Sequence, residues 1–431
     1  MKLNLRLLAA LVFLITGYTA TAQRTLIHAG KLIDGVSDKV KKEMTIVVED
    51  DRITSIEKGY TKADGSDKVI DLKNMTVMPG LIDMHVHLEN QTSPDNYTKR
   101  FLNNEADIAF SSLAYAKNTL MAGFTTVRDV GGTGVNIALR NAINRGLVEG
   151  PRVFTSGKSI ATTGGHADPT NGMKKELMGN PGPAEGVVNG PAEARRAVRQ
   201  RYKNGADMIK ITATGGVLSV AKDGSGPQFR MDELEAIIET ANDYGMHVAA
   251  HAHGAEGMKR AVMAGVTTIE HGSYMTEEVM DLMKEKGTYL VPTLTAGRTV
   301  ADSAKVPGYY PAIVVPKALA VGPQIQGTFA KAYKRGVNIV FGTDAGVFIH
   351  GFNGREFELM VEGGMPAMEA IQAATSVAAK VLGQEENFGS LEEGKYADIV
   401  ATPENPVDNI STMNNVGFVM KGGKVYKSSA E

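Results

Sequence analysis

The chain has 431 residues, of which 43% are hydrophobic and 22% charged. This composition is ordinary for a globular protein with a large core, and the length fits two or three domains or one large barrel. The formal net charge is −2 and no basic run or basic-aromatic stripe occurs, which argues against nucleic acid as a partner.

The first 22 residues have the pattern of a signal peptide. Lys2 and Arg6 supply positive charge, residues 7–15 are almost wholly apolar, and Ala20-Thr21-Ala22 matches a small-x-small cleavage site. We expect cleavage near Ala22 and a secreted, periplasmic mature chain that starts at Gln23. A retained N-terminal anchor is the alternative. No later segment reaches the roughly 18 apolar residues of a membrane span, and the absence of cysteine excludes disulfides and lipid-modified cysteines.

Both ends of the remaining chain have a β-like texture. Short mixed or apolar runs such as Met44–Val48 and Arg52–Ile56 occur near the start, and Ala397–Val400 resumes the pattern near the end. We predict a small composite β-sandwich domain from residues 23–83 and 384–431.

The middle of the chain alternates short apolar runs with segments of helix length, for example Met231–Tyr244. The eight predicted strands are Leu81–His85, Thr125–Asp129, Arg152–Thr155, Met208–Ile211, His247–His251, Thr267–His271, Thr288–Val291 and Val337–Phe341. Eight strands alternating with helices predict an α/β fold, a (β/α)8 TIM barrel over residues 84–383. A doubly wound open sheet is the alternative, disfavoured because no Gly-x-Gly-x-x-Gly follows an early strand. Residues 162–190 and 301–323, rich in turn residues, are predicted as long loops that influence substrate choice.

Histidines cluster at the ends of these predicted strands. Five of the nine fall there: His85, His87, His251, His253 and His271. In a barrel the carboxyl ends of the strands meet at the face that carries active sites. Side chains two residues apart on a strand point the same way, so the first two imidazoles form a plausible pair of metal ligands. A pair of surface or core histidines is the alternative.

Lys210 and Asp344 add to this pattern. Lys210 interrupts an apolar strand, where an unpaired ammonium is costly to bury, and Asp344 closes the last strand with a carboxylate. Taken singly, the lysine can pair with a neighbouring acid and the aspartate can cap a turn. Together with the histidines they predict a metal site.

One run of the sequence resembles the signature of a known family. Met78–Leu88, which reads MPGLIDMHVHL, resembles the signature of the amidohydrolase superfamily, and the order His-x-His, Lys, His, His, Asp is similar to that of its binuclear members. Within it, the chain most resembles the imidazolonepropionase-like group that includes prolidase-like (Xaa-Pro) dipeptidases. The resemblance extends from about Lys31 to Gly423. The local matches are 124–132, 164–166, 251–254 and 269–272.

The resemblance implies two divalent metal ions, usually zinc. His85, His87 and Asp344 are expected to hold the more buried ion, and His251 and His271 the more exposed one. Lys210 is expected to be N-carboxylated and to bridge both. Imidazolonepropionases are generally mononuclear and lack this lysine, so Lys210 argues against that activity.

The same resemblance, with the chemistry of the residues, suggests further roles. A metal-bound hydroxide is expected to attack the amide, with Asp344 as the proton shuttle. His166, in the glycine-rich loop, is expected to stabilise the oxyanion, although a loop histidine without a role is the alternative. His253 and Arg230 are candidate substrate-binding residues, and a solvated Arg230 is equally consistent with the sequence. Arg128 and Asp129 are expected to pair behind the ligands and to support them.

We therefore expect a secreted binuclear-metal amidohydrolase that cleaves a carbon–nitrogen amide bond in a small molecule. An Xaa-Pro dipeptidase or an N-acyl amino acid hydrolase is the leading hypothesis. A cyclic-amide hydrolase such as imidazolonepropionase is the alternative, and a catalytically silent binding protein is a remote one. The sequence leaves a homo-oligomer open and gives no membrane span after signal cleavage.

Overall fold

The structure, a computed structural model, describes residues 24–222 and 224–429. The predicted signal peptide and its cleavage site lie outside these residues. Within the described ranges, every helix is too short or too polar to cross a bilayer.

Strands from both ends of the chain form one sheet. Its members are β1 (Thr25–Leu32), β2 (Lys41–Glu49), β3 (Arg52–Lys58), β4 (Lys68–Pro79), β13 (Ile399–Thr402), β14 (Phe418–Lys421) and β15 (Lys424–Ser428). The order is β15-β14-β13-β4-β1-β2-β3, so the predicted sandwich takes the form of a single continuous seven-stranded sheet. The β1–β4 pair is parallel and the other pairs are antiparallel. Strand β4 pairs with β13, with Val77 opposite Ala401, and this pairing joins the two ends of the chain.

The middle of the chain forms the predicted parallel strands. They are β5 (Leu81–Val86), β6 (Phe124–Asp129), β7 (Arg152–Thr155), β8 (Ile209–Thr212), β9 (Val248–Ala252), β10 (Thr268–His271), β11 (Tyr289–Val291) and β12 (Asn338–Ile339). They pair in sequence order within two groups, β5-β6-β7 and β8-β9-β10-β11-β12. Single parallel bridges close both gaps: Ile160 pairs with Ile211, and Val86 pairs with Ala345. The (β/α)8 barrel is therefore confirmed.

Helices surround the barrel, and an apolar core lies between them and the strands. They are α1 (Asn96–Leu102), α2 (Glu105–Met121), α3 (Val135–Asn144), α4 (Lys175–Met178), α5 (Pro191–Asn204), α6 (Met231–Asp243), α7 (Ala255–Ala264), α8 (Glu277–Lys286), α9 (Leu294–Ser303), α10 (Val315–Arg335), α11 (Arg355–Glu362), α12 (Ala367–Ala373) and α13 (Ser376–Val381), with a 3-10 turn at Ile410–Asn414. The predicted helix 231–244 is confirmed. The Glu233 carboxylate accepts a hydrogen bond from the Arg230 backbone N–H (2.9 Å) and so caps the first turn of helix α6.

The prediction of a loop over residues 301–323 is wrong. Helix α9 runs to Ser303 and helix α10 begins at Val315, so the loop between them spans 304–314. Pro316 lies in the first turn of α10, where the missing N–H has no intrahelical partner to lose. Pro323 lies inside the helix, whose apolar face is nevertheless buried. Burial of this face outweighs the local preference of proline against a helix.

Candidate metal centre

A cavity of about 210 Å³ opens at the carboxyl ends of the barrel strands. It brings together eight of the side chains singled out by the sequence. These are His85, His87, His166, Lys210, His251, His253, His271 and Asp344. The strand ends therefore converge as the barrel fold requires.

The first group of ligand candidates is built around Asp344. Its Oδ1 atom lies 3.6 Å from Nε2 of His85 and 3.4 Å from Nε2 of His87. The backbone of Asp344 has a φ of 61°, and its N–H donates to the carbonyl oxygen of His85 at 2.7 Å. A left-handed conformation at a non-glycine residue is strained, and here it points a carboxylate at two imidazoles.

The second group consists of His251, His253 and His271. One ring nitrogen of each lies within 4.8 Å of the others, and His271 meets the same criterion with His85 and Asp344. His271 also has a left-handed backbone, with φ of 70°, and its Nδ1 lies 2.7 Å from Oγ1 of Thr293. His271 therefore stands between the two groups.

Burial sets the charge state of these side chains. It lowers the pKa of His85, His251 and His271 well below the usual range, and the positive charge of Lys210 lowers each further. Burial is also the main reason why the pKa of His87 falls to about 4. The imidazoles are neutral at pH 7, which is the form that binds metals.

Lys210 and Asp344 are shifted in opposite directions by the same cause. Burial lowers the pKa of Lys210, against the pull of the Glu270 and Asp344 charges. Burial raises the pKa of Asp344, against the pull of Lys210. Both shifts favour the neutral forms, and a cation beside Asp344 would reverse the shift at that carboxylate.

The donor set fits divalent metal ions. Among the described residues, Oδ1 of Asp344 is a buried carboxylate oxygen without a hydrogen-bond partner, and such an atom is costly unless something binds it. Several neutral imidazoles with one carboxylate suit zinc and related first-row ions.

A buried ion pair between Glu270 and Arg128, which the sequence alone does not indicate, supports His85. Nδ1 of His85 lies 2.7 Å from Oε2 of Glu270, and Oε1 of Glu270 lies 2.9 Å from Nη2 of Arg128. Arg128 also donates from Nε to the Met84 carbonyl oxygen at 2.7 Å. Glu270 directly precedes the ligand candidate His271 in β10, a strand that is buried along its whole length, and this position beside a candidate ligand was a signal in the sequence.

Arg128 and Asp129 support the site separately. They are adjacent on β6 and therefore point to opposite faces of the strand. Asp129 accepts from the Leu88 N–H and from Nδ2 of Asn136, each at 2.9 Å. The expected pairing of Arg128 with Asp129 is thus replaced, within the described chain, by the Arg128–Glu270 pair.

A second buried carboxylate fixes the loop that carries Asp344. Asp83 accepts from the backbone N–H of Thr343 at 3.0 Å, from its hydroxyl at 2.6 Å, and from Nδ2 of Asn353 at 2.8 Å. It lies in β5, two residues before His85, whose N–H it also accepts at 3.1 Å. The sequence showed this aspartate in the signature run without indicating its partners.

The predicted substrate-binding residues divide into two kinds. His166 lies in the cavity with its ring stacked on His251 at 4.3 Å between centroids, and its Nδ1 is buried without a hydrogen-bond partner among the described residues. His253 lines the same cavity, with Nδ1 2.8 Å from Oγ of Ser273. Arg230 is exposed at the start of α6 and is not among the residues that line the cavity.

A barrel with this cluster of imidazoles, a lysine and a carboxylate at its strand ends has the arrangement of a hydrolase site that could hold metal ions. Residues 76–426 match the amidohydrolase family. The chain therefore belongs to this family and is a hydrolase that acts on amide bonds.

Three relatives illustrate where it lies within the family. The chain is similar to an Xaa-Pro dipeptidase solved with methionine bound in its active site, with 54% identity, a TM-score of 0.92, and coverage of 94% of this chain and 100% of that one. It is 34% identical to ochratoxinase of Aspergillus niger over 96% of this chain and 89% of that protein. A prolidase solved with N-methylphosphonate-L-proline is 31% identical, with a TM-score of 0.86 and coverage of 94% and 100%. The resemblance to the prolidase-like group is confirmed.

Proposed function

We propose that the protein is a secreted two-metal dipeptidase that cleaves Xaa-Pro dipeptides or related N-acyl amino acids. The observation that carries the proposal is the meeting of six candidate ligands at the barrel's strand ends, in a chain 54% identical to an Xaa-Pro dipeptidase. Those six are His85, His87, Lys210, His251, His271 and Asp344.

The ligands come from the two groups described above, except that His253 of the second group is assigned to the substrate. His85, His87 and Asp344 would hold one ion and His251 and His271 the other, and an N-carboxylated Lys210 would serve as a ligand to both. The carbamate replaces a buried ammonium by an anion suited to metals. Bound divalent ions, zinc in the first instance, supply a Lewis acid for the scissile carbonyl and lower the pKa of a coordinated water.

The protein's own groups move the protons and hold the substrate. Asp344 accepts the proton of the attacking water at Oδ1 and delivers it to the leaving nitrogen. Burial, mainly, lowers the pKa of His166 to about 3 and that of His253 to about 4, so each ring is neutral and has one N–H to donate. His166 donates to the carbonyl oxygen as negative charge develops there, and His253 donates to the substrate carboxylate.

The function is tested with metal-reconstituted protein and a library of Xaa-Pro dipeptides and N-acyl prolines. We expect release of free proline and about two ions per chain by elemental analysis, with both lost in His85→Asn. One ion per chain with turnover of a cyclic amide would favour the imidazolonepropionase-like alternative. Metal binding without turnover of any amide would favour a silent binding protein.

The relation to ochratoxinase favours ochratoxin as a second substrate. It is tested in the same assay, with the His85→Asn variant as the control for contaminating activity. The export hypothesis is tested separately by cell fractionation. Recovery of a periplasmic chain starting at Gln23 supports it, and a cytoplasmic or uncleaved chain contradicts it.

A further inference from the structure

We propose that Lys317 is a positioning residue, which fixes the ring of His166 by holding the loop that follows β8. The inference rests on the role of His166 in the proposed function, and its test includes a measurement that does not depend on turnover. Residues 213–222, the first part of that loop, form the β8 loop. Val217 and Leu218 within it line the cavity, so the β8 loop belongs to the wall of the site.

Lys317 reaches the β8 loop from helix α10. Its Nζ atom donates hydrogen bonds to the carbonyl oxygens of Gly216, Ser219 and Ala221, at 3.1, 2.8 and 2.7 Å. An ammonium group has three N–H donors, and these three acceptors match that number. Hydrogen bonds from a charged donor are also stronger than those from a neutral one. The lysine therefore attaches the loop firmly to a helix that is distant from it in the sequence.

Gly216 connects this attachment to the ring of His166. A Cβ atom on Gly216 would lie 2.1 Å from both Cε1 and Nδ1 of His166, so the ring packs directly on the glycine backbone. The hydroxyl of Ser219 also donates to the Gly216 carbonyl oxygen, at 3.0 Å. The same residue thus binds Lys317 through its oxygen and supports His166 at its Cα. A shift of this backbone must move the ring.

The ring of His166 depends on this support because no protein group among the described residues binds its buried Nδ1. The ring stacks on His251, with 4.3 Å between the centroids. The backbone of His166 is held separately, since its N–H donates to Oε1 of Gln228 at 2.8 Å. The orientation of the ring therefore rests on packing against Gly216 and His251.

A second helix also holds the β8 loop. The hydroxyl of Tyr97, in α1, donates to the carbonyl oxygen of Leu218 at 2.7 Å. This bond is made two residues away from Gly216, whereas Lys317 binds Gly216 itself. We therefore expect loss of the Tyr97 hydroxyl to disturb His166 less than loss of the Lys317 ammonium.

The β8 loop also contacts one candidate metal ligand. Nε2 of His251 lies 3.2 Å from the carbonyl oxygen of Gly215. His251 lies within β9, however, where it is paired with Thr212 of β8 and Glu270 of β10. Its position is therefore set by the sheet and not by the loop. Loss of Lys317 should displace His166 and leave the metal ligands in place.

The main test replaces Lys317 by methionine, which has a side chain of similar length without a donor. We expect kcat for an Xaa-Pro dipeptide to fall roughly 10–100-fold with little change in KM, because the lost interaction is made in the transition state. The metal content should equal that of the parent protein. Lys331→Met, at an exposed position of the same helix, is the matched control and should behave as the parent. Unchanged kcat, or a loss of kcat that follows a loss of metal, would contradict the proposal.

A double variant shows whether the lysine acts through the histidine. If it does, Lys317→Met combined with His166→Asn should have no lower kcat than His166→Asn alone. A further loss in the double variant would reject this route. Lys317→Arg keeps a charged donor and should recover most of the lost kcat. An arginine variant as impaired as the methionine variant would exclude hydrogen bonding to the loop as the cause.

The ring of His166 can also be observed without substrate. In NMR spectra of metal-loaded protein with isotope-labelled histidine, the His166 ring signal is the one that disappears in His166→Asn. Lys317→Met and Gly216→Ala should both shift this signal, and Tyr97→Phe should shift it less. If Lys317→Met does not fold, Tyr97→Phe decides the question: a shifted signal with a small loss of kcat supports the proposal, and an unshifted signal refutes it.

The NMR measurement separates this inference from the proposed function. If the His166 signal moves in Lys317→Met but no dipeptide is cleaved by the parent, the dipeptidase proposal fails and the assignment of Lys317 stands. If the parent cleaves dipeptides and the signal does not move in Lys317→Met, the assignment of Lys317 alone fails.

Discussion

Nδ1 of His85 lies 2.7 Å from Oε2 of Glu270, and both side chains are almost completely buried. The carboxylate holds the proton on Nδ1 and leaves Nε2, the atom that faces Asp344, free for a metal. The other oxygen of Glu270 neutralises Arg128. One carboxylate therefore orients a ligand and compensates a buried cation.

Replacing Glu270 by glutamine should weaken metal binding. The amide cannot neutralise Arg128, and it orients His85 less firmly, so we expect metal affinity to fall roughly 10–100-fold. The unpaired buried guanidinium should also lower the free energy of unfolding by about 3–5 kcal/mol. Metal titration and chemical denaturation measure the two effects. Glu256→Gln, which loses only a surface pair with Arg260, is the control, and equal behaviour of the two variants would refute the assignment.

Lys210→Ala should abolish turnover and reduce the metal content. The variant lacks the amine that becomes a carbamate, so a short carboxylic acid added to the buffer should restore part of both. Elemental analysis and the proline-release assay provide the readouts. A variant that is fully metallated and active without the added acid would exclude the bridging carbamate.

Asp344→Asn should keep the fold and lose turnover. The amide is close in shape to the carboxylate, and the backbone N–H that bonds the His85 carbonyl oxygen is retained. The side chain can no longer accept a proton, for which we expect a loss of kcat on the order of 100–10,000-fold. Circular dichroism and steady-state kinetics test the two statements, and unchanged kcat would eliminate the proton-shuttle role.

The acid stability of the metal-free protein should depend on His247. Burial, first, and the nearby Arg128 charge lower the pKa of this histidine from 6.5 to about 3. Below pH 6.5 the unfolded chain binds a proton here that the folded chain does not, so stability falls as the pH decreases toward 3. The cost of this group reaches at most about 2 kcal/mol at pH 5. The free energy of unfolding, measured with urea, should fall less between pH 8 and pH 5 for His247→Asn than for the parent protein. Identical losses in the two proteins would argue against the lowered pKa of His247.

The barrel strands and the ligand candidates could be predicted from the sequence, because for these residues the local sequence pattern agrees with their position in the fold. All eight barrel strands lie where predicted, and their ends shift by at most two residues, as at Val337–Phe341, observed as Asn338–Ile339. The ligand candidates follow from these strands because the barrel topology alone brings the strand ends together. The side chains of His85 and Asp344 meet for that reason.

The sequence did not indicate which side chains pair with each other when tertiary packing decides the pairing. Arg128 has an acid beside it in the chain, yet its partner is Glu270, which the barrel places across its interior. Residues 315–323, the first part of helix α10, were predicted as loop because proline disfavours helices locally, while the buried apolar face of α10 favours one.

Gly216→Ala offers a test of His166 that leaves the imidazole in place. A Cβ atom at position 216 would lie 2.1 Å from both Cε1 and Nδ1 of His166, so the ring must move out of its stack on His251. If His166 stabilises the developing oxyanion, its displacement should reduce kcat by on the order of 100-fold, since this is the usual effect of losing one such donor. KM should change much less, because the interaction is made in the transition state.

The control is Gly327→Ala, at a helical position with open space around the added Cβ atom, which should be neutral or slightly stabilising. His166→Asn, which removes the ring but keeps a donor, completes the comparison. Because Gly216 and His166 act at one place, the double variant should lose no more activity than the more impaired single variant. Losses that multiply would show that Gly216 acts on the reaction by a route other than His166, and full activity of Gly216→Ala would remove His166 from the mechanism.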